Sequence, residues 1–373
     1  DMATNGSLEV IVARSAGTCF GVEAAIRIAE RERQPILGPL VHNPKVVGDL
    51  AESWTISKDA LTYTFKIRQG VKFHDGSTLT SADVKASYDK IIFPPHGIVS
   101  VRQAIYHMVT KVEAPDPQTV IFRIKFASAG FLRNLASPFN WIYKADILAR
   151  DPHFYERNIM GTGPFRFVEY VRGSHWAGTR NPDYFVSGRP YLAGYRVLFI
   201  SSTAIYTAAL RSGQALVNFR GLAPAQRDDL VRALGDRFVV QEGPWLCNNL
   251  VFFNTKKRPF DDARFRRALT LALDRWGGSK ALSQIAFVGP VGGVMRPTSE
   301  FRTPEAELTK LAGYGRNIEA ARAEARKLLR EAGIPEGFSF TLKNRSIQMP
   351  YEAVGIFLID QWRQIGLNVQ HVV

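Results

Sequence analysis

The chain has 373 residues, 46% hydrophobic and 22% charged, a globular composition long enough for two or three domains and a sizeable buried core. The formal net charge of +14 raises an anionic partner, but the densest basic cluster (Lys256, Lys257, Arg258, Arg264, Arg266, Arg267) has no nucleic-acid motif around it, so a solvated face and no nucleic-acid partner are expected. No run of about eighteen apolar residues marks a membrane span, and two cysteines, Cys19 and Cys247, are too few for a disulfide scaffold or a four-cysteine zinc site.

From Leu61 to Arg68 the residues alternate. Leu61, Tyr63, Phe65 and Ile67 face one way; Thr62, Thr64, Lys66 and Arg68 face the other, the pattern of a half-buried strand. Gly70 interrupts it, Val71 and Phe73 resume it, and Asp75-Gly76 turns the chain. Thr80 is placed to cap a helix, with Asp83 three residues on, and Val84, Tyr88 and Ile91 share one helical face. Pro115 to Pro117 reads as a turn into a second alternating run, with Val120, Phe122, Ile124 and Phe126 on one side. Short strands are expected at 165–171 and 195–200, and an irregular loop at 288–304, which is rich in Gly and Pro. Phe265, Leu269, Ala272 and Leu273 mark an amphipathic helix. A further helix runs from Ile318 to Ala332. Asn317 caps it, Ala321, Ala325, Leu328, Leu329 and Ala332 form its apolar stripe, and Gly333 ends it. Short strands alternating with helices give an α/β architecture with mixed sheets.

No G-x-S-x-G elbow, P-loop, H-E-x-x-H or C-x-x-C occurs. The seven histidines lack metal-ligand spacing, so neither a metal nor another cofactor is expected. His74-Asp75 is an acid/base pair on paper, yet it sits at a hairpin turn, where an aspartate bonds its own backbone. Gly161 to Phe165 is a poor phosphate cradle. It lacks a following lysine, and Pro164 removes a needed N–H donor, so a structural turn is expected. This sequence is not arranged as an enzyme. A binding protein needs a cleft, aromatic walls and a few fixed polar groups instead.

The stretches 50–54 (LAESW), 63–76 (YTFKIRQGVKFHDG) and 79–84 (LTSADV) resemble the signature of the family 5 extracellular solute-binding proteins, the dipeptide, oligopeptide and nickel receptors of ABC importers. Later blocks agree in order: 161–165 (GTGPF) with 181–185 (NPDYF), 253–256 (FNTK) with 260–275 (FDDARFRRALTLALDR), and 325–333 (ARKLLREAG). The resemblance implies a two-lobed, type II periplasmic-binding-protein-like fold, with 48–250 as lobe I and 251–373 as part of lobe II. It also implies capture of a peptide or similar small solute between the lobes and delivery to an ABC permease, by a periplasmic monomer. Arg102 and Tyr106, Asn140 and Trp141 beside Phe139, and Trp245 and Asn248 fall where the family places cavity walls, and they are the expected ligand-binding residues.

The two ends depart from the family pattern. Val10 to Val47 resembles the N-terminal βα unit of 4-hydroxy-3-methylbut-2-enyl diphosphate reductase, an iron–sulfur enzyme of isoprenoid synthesis. By match, Cys19 would ligate the cluster and His42 would meet the substrate diphosphate. Three thiolates are needed and Cys247 is the one other cysteine, so 1–47 is read as a graft or fusion, with a reductase fragment as the alternative function. The chain opens on Asp1 without a basic-then-apolar leader, and it ends after 365–370 (IGLNVQ) with no return crossing. The second lobe is therefore expected to be incomplete and ligand binding by this chain weak or absent.

Overall fold

The computed structural model describes residues 9–14, 46–137, 139–218, 221–241, 249–286, 288–295, 297, 299 and 301–373. Cys19, His42 and Cys247, on which the reductase resemblance turns, lie outside these residues. Two compact units are present: residues 1–200 with 213–219, and residues 201–212 with 220–373.

The strands of the first unit, in chain order, are β1 (Glu9–Arg14), β2 (Ala51–Ile56), β3 (Thr62–Ile67), β4 (Val109–Asp116), β5 (Thr119–Ile124), β6 (Phe165–Val171), β7 (His175–Arg180), β8 (Gly194–Phe199) and β9 (Val217–Asn218). They form two sheets. One is antiparallel, in the order β2-β3-β5-β4. Alternation in β3 does what the sequence requires. Tyr63, Phe65 and Ile67 are buried and pair with β5, whose Val120, Phe122 and Ile124 are also buried. The strand ends at Ile124, however, and Phe126 is 44% exposed, so the second alternating run is shorter than expected. Its backbone leaves the ladder at Lys125, whose N–H turns to Met108 O at 2.9 Å.

Val71 (0% exposed) and Phe73 (1%) close the same core. Helix α1 (Ser81–Ile92) lays Val84, Tyr88, Ile91 and Ile92 on it. Burying each such side chain is worth about 1.5–3 kcal/mol. The capping signal is met: Asp83 Oδ2 accepts from the Thr80 N–H at 2.8 Å and from Thr80 Oγ1 at 3.0 Å. Rings meet edge-on inside this core, Phe122 lying 4.9 Å from Tyr88 and Tyr63 lying 4.7 Å from Phe131.

The other sheet runs β6-β7-β8-β1-β9. Strands β6, β7 and β8 form an antiparallel meander, whereas β1 pairs in parallel with both β8 and β9. Residues 9–14 are thus an inner strand of the first unit. Leu192, Tyr195 and Val197 make the sheet's buried cluster, with Phe165, Trp176 and Phe199 packed against it.

In the second unit α4 (Thr203–Ser212) and α5 (Pro224–Leu234) pack together. Its main core joins α6 (Ala263–Leu271), α9 (Ile318–Glu331) and α10 (Ala353–Arg363) with a parallel pair, β10 (Ser339–Lys343) and β11 (Asn368–Val372), while α7 (Arg275–Leu282) packs on α10 and α8 (Glu305–Leu308) precedes α9 in the chain. Phe265, Leu269 and Ala272 are buried as the helical spacing predicts. Asp262 caps α6 by accepting from the Arg264 N–H at 2.8 Å, and Asn317 caps α9 by accepting from the Ala320 N–H at 3.0 Å. Trp362 is 1% exposed and donates its indole N–H to Leu269 O at 3.0 Å, which ties α10 to α6.

Candidate functional site

Arg102 caps, and Tyr106 ends, a short 3-10 turn (Gln103–Tyr106) that follows α1 in the chain. Gln103 anchors the turn, its Nε2 donating to Ile92 O at 3.2 Å. Facing it are α2 (Phe131–Leu135) and the segment that leads to α3 (Ala145–Arg150). The end of that segment is held by the signature helix. Tyr143 N–H donates to Ser87 Oγ at 2.7 Å, and Ala145 N–H donates to Asp83 Oδ1 at 2.8 Å. The carboxylate that caps α1 therefore also fixes the strand-like stretch carrying Asn140 and Trp141.

Four expected site residues come together here. Asn140 Nδ2 donates to Tyr106 Oη at 2.7 Å, Asn134 O at 2.8 Å and Leu135 O at 3.1 Å. Tyr106 Oη in turn donates to Asn134 O at 2.7 Å. Two carbonyls around Nδ2 fix the amide's orientation, since a flipped amide would set oxygen against oxygen. That leaves Asn140 Oδ1 buried and without a hydrogen-bond partner among the described residues. Arg102 donates through Nη1 to Phe139 O. Its guanidinium carbon lies 5.8 Å from the Phe139 ring centre and 5.7 Å from that of Trp141, a cation–π arrangement on both rings. Trp141 is 47% exposed, whereas Tyr106 is 1% exposed and acts through Asn140 rather than at the surface.

The charge of Arg102 is felt through the cluster. Burial pushes the Tyr106 hydroxyl above its ordinary pKa, with the Asn140 bond and the Arg102 charge opposing. Burial likewise raises Tyr88 and Tyr143, again with Arg102 pulling the other way. These hydroxyls stay protonated and serve as hydrogen-bonding groups. The other two expected residues, Trp245 and Asn248, lie in 242–248, outside the described residues.

The carbonyls of Asn134, Leu135 and Phe139 were not legible beforehand, because a backbone oxygen has no sequence signature. Tyr88, whose hydroxyl donates to Leu135 O at 3.1 Å, was read as packing alone. His74 and Asp75 do not form an acid/base pair. Asp75 Oδ1 accepts from Ser77 N–H at 3.0 Å, as a turn aspartate does, and Oδ2 accepts from Lys144 Nζ at 2.7 Å. Among the described residues no group of three or more His, Cys, Asp or Glu is placed to hold a metal ion, and no helix is long and apolar enough to cross a membrane.

The family model for bacterial extracellular solute-binding proteins, family 5 Middle, matches residues 45–372. The chain belongs to this family. The glutathione-binding protein GsiB of Escherichia coli (strain K12) is 30% identical over 337 residues, and that of Pectobacterium atrosepticum 29% identical over 330. Each match covers 87% of this chain, and the chain spans about 60% of the length of these relatives.

Among solved structures, the periplasmic binding protein AgaA from A. tumefaciens R10, in complex with agropinic acid, aligns with a TM-score of 0.71 at 29% identity, over 87% of this chain and 63% of that one. DppA from Helicobacter pylori, in complex with peptide STSA, aligns with a TM-score of 0.77 at 24% identity, over 98% and 73%. The chain has the type II periplasmic-binding-protein fold of these neighbours, an α/β arrangement of several mixed sheets.

Proposed function

We propose that this family 5 protein is the substrate-binding component of an ABC importer. In this reading it captures a peptide or a similar small solute outside the cytoplasmic membrane and passes it to a membrane permease, as a monomer and without chemistry of its own. Closure on the solute would be driven by contacts that exist only in the closed state.

The observation that carries the ligand class is Arg102, held by the Phe139 carbonyl beside the exposed Trp141. A guanidinium packed against two neighbouring aromatic rings offers a carboxylate a preorganised charged partner. A solute carrying a carboxylate, as peptides do, meets that charge. Trp141, with Trp245 and Asn248, would complete the wall, and Tyr106 would act as a positioning residue. The relatives described as binding glutathione or the peptide STSA are consistent with that chemistry.

Titration calorimetry of the protein with glutathione and a panel of di- to pentapeptides tests the reading. Weak but saturable one-to-one binding is expected, lowered at least about tenfold further in Arg102→Ala, since a charge-assisted hydrogen bond is worth about 1.5–3 kcal/mol. Binding that Arg102→Ala leaves unchanged would remove Arg102 from the site, and no saturable binding across the panel would overturn the assignment of solute. The iron–sulfur alternative is favoured by no observation, because the sequence holds two cysteines where three thiolates are needed.

A further inference from the structure

The His-Asp-Gly turn and the Gly-Thr-Gly-Pro turn are far apart in sequence and form one contact. The His74 N–H donates to Gly161 O at 2.8 Å, and the Gly161 N–H reaches back to His74 Nδ1 at 3.4 Å. On the far side of the ring, His74 Nε2 lies 3.0 Å from Gly163 O. Asn181, 1% exposed, fixes the same turn from below, its Nδ2 donating to Gly163 O at 2.9 Å and its N–H to Pro164 O at 2.8 Å. A carbonyl only accepts and an amide N–H only donates. The two turns therefore admit one form of the ring, the neutral imidazole with its hydrogen on Nε2.

We propose that His74 is a proton-sensitive latch that joins the turn at 73–77, on the core of the four-stranded sheet, to the turn at 161–164 that begins β6 of the five-stranded sheet. A proton added at Nδ1 puts an N–H directly against the Gly161 N–H, so two donors meet and one of the three bonds is lost.

Of the charged groups around the ring, the Asp75 carboxylate favours that proton, but both its oxygens are already engaged. Asp75, the adjacent carboxylate, uses Oδ1 on Ser77 and Oδ2 on Lys144. Arg166, on β6, donates to Asn181 Oδ1 at 3.1 Å and to Asp183 at 2.9 Å, and Lys72 lies 3.6 Å from Asp183. The field of Arg166 disfavours an imidazolium. Burial is the largest influence and holds His74 below its ordinary value of 6.5. Arg166 adds to that, while the Gly163 bond and the Asp75 charge work against it. The sign follows. With the folded value below the unfolded one, the latch contributes in full above about pH 6.5 and is lost as the pH falls from there through the folded value. This inference is independent of the proposed ligand.

Two measurements on the 373-residue protein test it. In the parent, long-range proton–nitrogen NMR of the imidazole should show the Nε2–H form at pH 7 and a titration midpoint below 6.5 for His74. In thermal unfolding between pH 7 and pH 5, the parent should lose about 2 °C more than His74→Gln, whose amide can still donate to Gly163 O but takes up no proton. His74→Ala should melt lower than both at pH 7. A midpoint at or above 6.5, an Nδ1–H form, or identical pH dependence in parent and His74→Gln would overturn the proposal. If His74→Gln does not fold, the titration of the parent decides by itself.

Discussion

Asp75 and Lys144 meet at 2.7 Å across sixty-nine positions of sequence, and the same carboxylate holds the Ser77 turn. Burial alone would raise the Asp75 pKa, but hydrogen bonds from Lys144 and Ser77 outweigh it and hold the group at about 2. The folded value lies below the unfolded 3.8. The contribution to stability is therefore complete above about pH 4 and disappears as the pH drops towards 2. Asp75 is 40% exposed at the side chain, so solvent discounts the pair. We expect Asp75→Asn to lose about 1 kcal/mol in urea unfolding at pH 7 and to show a shallower acid limb between pH 4 and pH 2 than the parent. Parallel acid limbs would contradict this account of the turn. Sequence predicted the turn role of Asp75 from residue type and spacing. It gave no sign of Lys144, because nothing in a sequence pairs two side chains so far apart.

Among the elements, legibility follows backbone regularity. Strands β3 and β5 were readable because one face is buried and the register is unbroken, so period-two alternation survives intact. Strand β4 was not readable. Its register shifts between Val109 and Lys111, and the buried residues Val109 and Val112 fall three apart instead of two. Strand β2 carries a similar shift between Ala51 and Ser53. Helix α9 was read almost to its ends, because Asn317 and Gly333 punctuate it.

The exception in α9 is Arg322, which sequence placed off the apolar stripe but which is 8% exposed. Its Nη2 donates to Gln361 Oε1 at 2.9 Å, an oxygen that also accepts from the Asp274 N–H at 3.0 Å. A buried polar bridge of this kind leaves no periodic trace.

In β7 the decisive residue is Gly178. It sits opposite Tyr195, and a Cβ there would fall 2.6 Å from the ring. Tyr195 is 5% exposed and lies edge-on to both Trp176 and Phe165, so the ring has little room to yield. Gly178→Ala is expected to destabilise the protein by about 1–3 kcal/mol in chemical unfolding, the usual cost of overpacking. An unchanged midpoint would show that the ring moves freely.

For the whole molecule, the family was legible because six blocks stand in order along the chain, and the family match at 45–372 spans all of them. The α/β class followed from the same pattern of capped helices and alternating strands. The candidate site was legible only in part. Arg102 and Trp141 were singled out as an arginine and an aromatic in family positions. What makes them a unit is the Phe139 carbonyl and the two adjoining rings that the guanidinium packs against, a geometry set by α2 and by the Asp83 and Ser87 anchors. The solute itself was not legible, because its selection rests on where carbonyls and amides point, which the chain's order does not encode in any short motif.

Six tryptophans are present, and Trp141, 47% exposed beside Arg102, is placed to report on a bound solute. A fluorescence titration of the parent and of Trp141→Phe with glutathione and short peptides is therefore the most direct measurement. The account predicts a saturable change in the parent that Trp141→Phe largely abolishes. A saturable change that survives intact in Trp141→Phe, or no change with any solute of the panel, would contradict it.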